Sequence, residues 1–514
     1  MLPGDLLRRL GVDHVVDVAD AVEPRGRTGQ GRGGARRIPG IPRFEAPDRA
    51  CAMLLAEAAG TMGSGVGAVW DGDVLTLLSR APGAGAAADG SPAPIPTEGA
   101  GAEGGPAGDV VTVASARELA AVVEQARRAG SGAVAIRPDF DLAAALPGQP
   151  AGDRPAAGLA DPSLAPRLTA LPGRDEGTGS AAVPDGAHTD RDGNLLVDLV
   201  LVGRGVIRAG GVPALRAFAE RTGLGVLNTF TAKGLFRWDS PFHLGTGCLQ
   251  LHDLALAGVH PDAVVVAIGV DADECPPALF EDAGFDPARL VSLDVSDLDG
   301  GEGGPRQDLV SRLRARRPVD QAERPRLYRD LAAVAQPLYT RHAAPLNPAR
   351  AAADVAEVLP EGAAVWAEPG LAGMWLARAL PTTRLGSARV PAAGSPGVAV
   401  AGALSAALRP GGVGVAIVDQ PPRDGVAAAL LDWAATAPGT LVVEVWGEDG
   451  EPRDSAGHQA RLAAALAEPG VHVIEVPVDY TMTKALVEVS GPVVAWGGRV
   501  AVPSAAAATP TPRQ

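Results

Sequence analysis

The feature that most constrains the fold is the alternation of short apolar runs with longer stretches of helical spacing. Runs such as VGAVW (66–70), DAVVVAIG (262–269) and LVVEVWG (441–447) have the length of strands. They lack the alternation of polar and apolar residues that marks a sheet with one face exposed to solvent. Strands that are apolar throughout are typical of parallel sheets covered by helices on both faces. We therefore expect an α/β chain of doubly wound parallel-sheet units.

Low-complexity segments divide this pattern. Residues 81–108 and 148–192 are rich in Gly, Pro and Ala and cannot bury a core, which predicts a flexible insertion and a linker. Residues 499–514 predict a disordered tail. A chain of 514 residues has room for three domains of ordinary size. The predicted domains are 1–147, 193–330 and 345–498.

Composition excludes several functional classes. The formal net charge of −15 argues against nucleic-acid binding, because phosphate backbones repel an acidic protein. Three cysteines that lie far apart indicate neither a disulfide framework nor a metal site, and they fit a reducing compartment. No apolar run approaches the roughly 20 residues of a membrane span, and the N-terminus has no signal-peptide core. We expect a cytoplasmic protein without a membrane partner.

A glycine-rich turn, GRGVIRAGG (203–211), joins a predicted strand to a predicted helix. Such a turn can present backbone N–H groups to an anion, which would suit a nucleotide- or CoA-binding protein. Its glycines do not have the GxGxxG spacing of dinucleotide sites. The other interpretation is a tight strand-to-helix turn with no ligand.

The longer stretch from this turn to Gly247 resembles the central domain of acetolactate synthase-like thiamine diphosphate enzymes. The segment VVAIGVDADECPP (264–277) resembles the next strand and its acidic loop. The resemblance implies three domains: pyrimidine-binding-like, central and diphosphate-binding-like. Some relatives hold FAD through the central domain, but no pattern here requires FAD. The family's small-Lys-Gly turn, its His-Pro-like segment and its Leu-Gly end are matched by Ala232-Lys233-Gly234, Asp239-Ser240-Pro241 and His243-Leu244-Gly245.

Lys233 is one of only two lysines in a chain that otherwise uses arginine; the other is Lys484. An ammonium group differs from a guanidinium group in size and geometry, so this position has a requirement that arginine does not meet. One interpretation is an anion or cofactor contact. The other is a surface lysine that stabilises a turn.

In the first domain, the segment 42–60 resembles the family segment that carries the catalytic glutamate. Phe44-Glu45 stands where the family has His-Glu. By this resemblance, Glu45 is the catalytic carboxylate that bonds the pyrimidine ring and lets thiamine diphosphate form its ylide. Burial before an apolar helix would raise the pKa of Glu45. The alternative is a glutamate at a helix N-terminus, where the helix dipole favours negative charge.

In the third domain, Asp419-Gln420 occupies the position of the family's Gly-Asp-Gly metal motif. The resemblance makes Asp419 a ligand of Mg²⁺, which prefers oxygen ligands and phosphates. The Asn positions of the motif are Val445 and Trp446 here. The alternative role for Asp419 is a strand-end carboxylate that caps a neighbouring turn. Upstream, the cofactor-cradling segment 379–408 contributes Gly394, Pro396 and Gly397.

The resemblance therefore implies thiamine diphosphate and Mg²⁺ as cofactors. The implied reaction is decarboxylation of a pyruvate-like 2-oxo acid, followed by transfer of the acyl carbanion to a second carbonyl. Such an enzyme is a transferase or lyase. Relatives of this kind assemble as homodimers or homotetramers. The altered metal motif leaves a second hypothesis open: a degenerate homologue that acts as a binding or regulatory protein.

Overall fold

The structure is a computed structural model, and it describes part of the chain. Most of residues 188–500 are described, together with short segments nearer the N-terminus. The described residues are 15–18, 43–46, 51, 52, 54–56, 58, 67–71, 74–78, 111–113, 133–138, 188–271, 273–299, 305–317, 319, 324–392, 396–409, 411–423, 425–436, 438–498 and 500.

The described strands are short and apolar. They are β1 Val15–Val18, β2 Arg43–Ala46, β3 Gly67–Asp71, β4 Val74–Leu78, β5 Val111–Val113, β6 Ala133–Pro138, β7 Leu195–Val197, β8 Leu199–Val202, β9 Val226–Thr229, β10 His243–Gly247, β11 Val265–Ile268, β12 Leu290–Leu293, β13 Leu313–Ala315, β14 Ala364–Ala367, β15 Ala388–Arg389, β16 Val413–Val418, β17 Thr440–Gly447 and β18 Gly470–Pro477.

Helices alternate with these strands from β8 onward. They are α1 Gly205–Arg208, α2 Val212–Thr222, α3 Asp253–Ala257, α4 Pro277–Asp282, α5 Pro305–Arg312, α6 Arg326–Tyr339, α7 Pro348–Val358, α8 Leu371–Ala379, α9 Val398–Ala407, α10 Gly425–Ala434, α11 Ser455–Ala467 and α12 Thr483–Ser490. No helix in the described segments is long and apolar enough to cross a membrane.

The chain divides into two compact units. The first comprises residues 1–168, 393–410 and 422–438, and the second comprises the rest. The second unit contains two five-stranded sheets, with strand orders β10-β9-β8-β11-β12 and β15-β14-β16-β17-β18. Every pairing in both sheets is parallel. The α/β class with parallel sheets is thus confirmed. The predicted domain boundaries stay predictions.

Helix α2 illustrates how the local sequence sets an element. Pro213 stands in its first turn, where a missing N–H costs nothing, and Leu215 and Phe218 turn into the core. The helix ends at Gly223, which adopts a left-handed φ of 70°. Glycine takes that conformation without a Cβ clash. This helix and its C-terminal stop agree with the sequence, in which VPALRAFAERTG (212–223) has helical spacing and ends on glycine.

The sheet of the first unit is mixed and has the order β2-β1-β3-β4-β6-β5. Strand β4 pairs antiparallel with both β3 and β6. Only two residues separate β3 from β4, which suffices for a hairpin but not for a crossover helix. This sheet therefore departs from the wholly parallel one that we expected. The predicted insertion 81–108 lies outside the described residues, and so do residues 115–130, whose spacing predicts a helix.

The run GPVVAW (491–496) has the length and apolar composition that predict a strand, and this prediction is wrong. Val493 forms only an isolated bridge with Gln250, and residues 495–498 form a 3₁₀ turn. Trp496 has a left-handed φ of 55°, and its indole donates a hydrogen bond to the carbonyl of Pro391. A short apolar run does not reveal its secondary structure, because packing against neighbours decides it.

The core of the second unit is continuous across both sheets. One cluster of buried side chains includes Leu201 and Leu227 of the first sheet and Val365, Val415 and Val442 of the second. A second cluster, around Phe218 and Ile268, packs on the first sheet and on the small sheet of β7 and β13. The two sheets are therefore parts of one packed body.

Candidate functional site

The predicted residues of the first unit are only partly described. Glu45 lies in β2, paired in register with Asp17 of β1, but its side chain lies outside the described residues. Gly394 also lies outside the described residues. Pro396 is exposed, and Gly397 is buried at the start of α9 with a left-handed φ of 93°. A methyl group on Gly397 would approach Ala427 Cβ to 2.9 Å, so packing alone explains glycine there. Cofactor roles for these residues stay predictions.

Asp419 follows β16, and its carboxylate caps the N-terminus of α8. One oxygen accepts the N–H of Leu371 at 2.8 Å and the other accepts the N–H of Ala372 at 2.7 Å. A methyl group on Gly370 would lie 1.9 Å from Asp419 Oδ2, so glycine permits this close approach. Burial raises the pKa of Asp419, while the two backbone hydrogen bonds oppose that rise. The capping role that the sequence left open is the one observed.

The positions where the family resemblance expects further metal ligands carry apolar side chains. Val445 and Trp446 are buried in β17, and the Trp446 indole donates to Glu444 at 2.9 Å. Glu448 is exposed in the loop that follows. No cluster of three or more His, Cys, Asp or Glu side chains suited to a metal occurs in the described part of the chain. The described donor set does not fit a magnesium–diphosphate site. The predicted partner Gln420 is exposed.

A carboxylate of the protein itself, that of Glu274, accepts a backbone N–H group of the glycine-rich turn. The backbone N–H of Arg204 donates to both oxygens of Glu274, at 3.0 and 3.1 Å. A methyl group on Gly203 would lie 2.4 Å from the carbonyl of Gly269, and one on Gly205 would lie 2.6 Å from it. The turn is therefore packed against the end of β11. The structure supports the tight-turn interpretation.

The same corner contains a buried charge cluster. Arg204 is 3% exposed and bonds Asp271 at 2.8 Å and Asp273 at 3.0 Å. Arg208 also pairs with Asp271. Burial, and secondarily Asp271, raise the pKa of Glu274 to about 8. Two guanidinium groups thus face the carboxyl groups of Asp271, Asp273 and Glu274, so the protein itself supplies the counter-charges of this cluster.

A cavity of about 810 Å³ lies elsewhere in the second unit and was missed by sequence reasoning. Its volume is in the range of small-molecule sites. Helix α6 forms one wall with Leu327, Leu331 and Ala335, and Leu380 and Leu486 extend the apolar lining. The polar lining consists mainly of Lys233, His243, Glu357, Arg378 and Arg384.

Lys233 is the most unusual group of this cavity. Its residue is 6% exposed, so the surface interpretation offered by the sequence is wrong. Burial, and secondarily the charge of Arg378, lower the pKa of Lys233 to about 7. Lys233 forms no ion pair with any other described residue. A lysine that is desolvated and close to another cation is unusually poised to lose its proton or to accept an anion.

His243 stands beside it and is 7% exposed. Its Nε2 lies 2.9 Å from Asn228 Oδ1, while the Asn228 amide nitrogen donates to Thr229 O and Thr246 Oγ1. This network assigns the proton to Nε2 and leaves Nδ1 as an acceptor. Nδ1 is buried without a hydrogen-bond partner among the described residues. Burial, with Lys233 and Arg324, lowers the pKa of His243 to about 4, so the ring is neutral near pH 7.

Comparison with known protein families bears on the middle of the chain. Residues 198–307 match the family model described as "Thiamine pyrophosphate enzyme, central domain". This stretch is a domain of that type. It includes the glycine-rich turn, the charge cluster, Lys233 and His243. A search of curated proteins finds no significant match.

A likeness in fold to a solved structure extends beyond this central domain. A solved structure, described as the "X-ray structure of a putative thiamin diphosphate-dependent enzyme isolated from Mycobacterium smegmatis", is 19% identical and superposes with a TM-score of 0.51. The match covers 93% of this chain and 98% of that one. At this identity the likeness establishes the architecture only. The acetolactate synthase-like subtype rests on the sequence resemblance alone.

Proposed function

We propose that this chain is a homologue of thiamine diphosphate enzymes that acts as a binding or regulatory protein. The observation that carries the proposal is the position of the Asp419 carboxylate. It occupies the first free N–H groups of α8, and a helix N-terminus is where an anion such as a diphosphate is stabilised. A diphosphate at this helix end would have to displace a carboxylate or lie beside it.

The neighbouring residues support the same reading. A diphosphate brings several negative charges, and an Mg²⁺ ion needs about six oxygen ligands to offset them. The described residues near Asp419 offer the apolar Val445 and Trp446 where a second protein ligand is expected. Negative charge from the ligand would therefore face the carboxylate without compensation.

The second candidate is an acetolactate synthase-like enzyme that decarboxylates a 2-oxo acid and transfers the acyl carbanion. The central-domain match at residues 198–307 favours it. In that case Glu45 would be the catalytic carboxylate, and thiamine diphosphate would supply the electron sink when bound. We also keep the proposal of a homodimer or homotetramer, which is usual for enzymes of this plan.

Binding calorimetry with thiamine diphosphate and Mg²⁺, followed by an assay of pyruvate consumption, separates the two candidates. For the binding protein we expect no saturable heat at millimolar cofactor and no pyruvate loss. Saturable binding, together with pyruvate consumption that Glu45→Gln abolishes, would establish the enzyme instead. The amide is the informative change because it cannot stabilise a protonated pyrimidine nitrogen.

A further inference from the structure

We propose that the cavity beside Lys233 binds an apolar monocarboxylate, with the carboxylate on Lys233 and the apolar body along α6. The cavity lies within the second unit, and Asp419 is not among its lining residues. The inference therefore does not depend on whether the chain binds thiamine diphosphate.

The first argument is the charge of the lining. Arg378 is neutralised by Asp253 at 2.6 Å. Glu357 contacts Arg350 at 2.6 Å, but Arg350 also pairs with the buried Asp354, and the side chain of Glu357 is 55% exposed, where solvent screens its charge. Lys233 and Arg384 have no acidic partner among the described residues. The lining thus carries uncompensated positive charge in an apolar setting. An anion that enters would restore the balance and would be held strongly, because little water screens the pair.

The second argument is the shape and chemistry of the walls. Leu327 and Ala335 are buried on α6, and Leu331, Leu380 and Leu486 continue the apolar surface. Such a lining suits an aliphatic or aromatic body rather than a second charged group. Trp238 also lines the cavity and is 47% exposed, so one wall reaches solvent and offers an entrance. The ligand is therefore amphipathic, with one anionic end.

The third argument is the unsatisfied polar group beside the ammonium. His243 Nδ1 is buried without a partner in the described region, although buried polar atoms are normally hydrogen-bonded. A ligand with a hydroxyl next to its carboxylate could donate to this nitrogen while the carboxylate meets Lys233. A 2-hydroxy acid would thus complement both groups.

Binding of such a ligand is expected to change the protonation state of Lys233. The charged or titratable groups that line the cavity with it are His243, Arg378, Arg384, Glu357, Tyr328 and Tyr339. None of them is an unpaired carboxylate among the described residues. A bound carboxylate would favour the ammonium form, so binding above the free pKa should take up a proton.

The experiment compares decanoate with 1-decanol, which has the same chain length and no charge, by calorimetry on the intact protein. We expect saturable binding of decanoate and at least about tenfold weaker binding of decanol. Repeating the titration at pH 8 in buffers of different ionisation enthalpy should reveal proton uptake. 2-Hydroxydecanoate should bind more tightly than decanoate if His243 takes part.

Two variants with matched chemistry complete the test. Lys233→Met should abolish both the preference for decanoate and the proton uptake, whereas Lys484→Met should leave both unchanged. Lys484 is the appropriate control because it is the other lysine and its side chain is 68% exposed on α12. The proposal is overturned if wild-type protein binds no decanoate saturably, if decanol binds equally well, or if Lys233→Met keeps the preference.

Discussion

At the scale of single residues, Lys233 departs furthest from its ordinary chemistry, which leads to the first prediction. Burial and the nearby Arg378 lower its pKa to about 7. Reductive methylation with ¹³C-formaldehyde, followed by NMR, would resolve the two lysines and the N-terminus. We expect the Lys233 signal to titrate near neutral pH. A Lys233 signal that titrates only above pH 10 would contradict this prediction.

The same shift implies that stability depends on pH. The folded-state pKa of Lys233 lies below its unfolded value of 10.5, so the unfolded chain binds more protons between these values. Relative to Lys233→Met, the wild type should therefore gain about 1.4 kcal/mol of unfolding free energy per pH unit from pH 7 toward pH 10. Urea unfolding at several pH values measures this difference. A difference that does not change with pH would refute the buried position of Lys233.

The sequence singled out Lys233 by its rarity but could not predict its burial. The walls that desolvate it come from α6 and from Leu380, which follow more than ninety positions later in the chain. For Asp419, the sequence predicted the position at a strand end but not the hydrogen-bond partners. The two backbone amides that it caps belong to α8, nearly fifty residues earlier. Burial and partners are set by tertiary contacts, which one sequence does not display.

At the scale of elements, His458 holds three of them together. It lies on α11 and contacts Asp354 of α7 through Nδ1 and Glu444 of β17 through Nε2, each at 3.0 Å. Glu444 and Asp354 overcome the effect of burial and raise the pKa of His458 to about 10. The imidazole is therefore a cation between two carboxylates, and all three side chains are nearly inaccessible.

Removing this cation should cost about 3–5 kcal/mol of unfolding free energy, because the buried Glu444 loses its counter-charge and Asp354 keeps only Arg350. His458→Ala should show this loss in urea unfolding at pH 6, where the wild type has its full benefit. Because the folded pKa of His458 is raised, the benefit should fall as pH rises from about 6.5 through 10. His342→Ala, at an exposed position, should change little and serves as the control. Equal stability of both variants would contradict the prediction.

Elements were predictable where hydrophobic pattern alone decides them. The parallel strands β9, β11, β14, β16 and β17 coincide with apolar runs, because burial on both faces leaves that pattern in the sequence. The β3–β4 hairpin was not expected, since β4 (VLTLL) was not recognised as a strand. For residues 491–496 the strand prediction was wrong, because these apolar residues are buried by packing and do not form a ladder of strand hydrogen bonds.

At the scale of the whole molecule, one buried ion pair links the two parallel sheets of the second unit. Arg378 on α8 pairs with Asp253 on α3, and their side chains are 2% and 0% exposed. Arg378 also donates to Gln250 Oε1 and to the carbonyl of Thr246 at the end of β10. Asp253 in turn accepts from Ser490 and from the N–H groups of Leu249 and Gln250. The pair thus joins segments that lie more than a hundred residues apart.

Asp253→Asn should leave Arg378 as a buried cation without a counter-charge, at a cost of about 3–5 kcal/mol in urea unfolding. The double variant Asp253→Asn/Arg378→Met should recover part of that loss, because the uncompensated charge is gone. Asp262→Asn, whose side chain is 79% exposed, supplies the control and should be nearly neutral. Arg378→Met is measured alone as well. If the double variant loses as much stability as Asp253→Asn and Arg378→Met lose separately in sum, the cost arises from the hydrogen bonds to Gln250 and Thr246 rather than from the charge. In that case, polar contacts would be the main connection between the two sheets outside their shared apolar core.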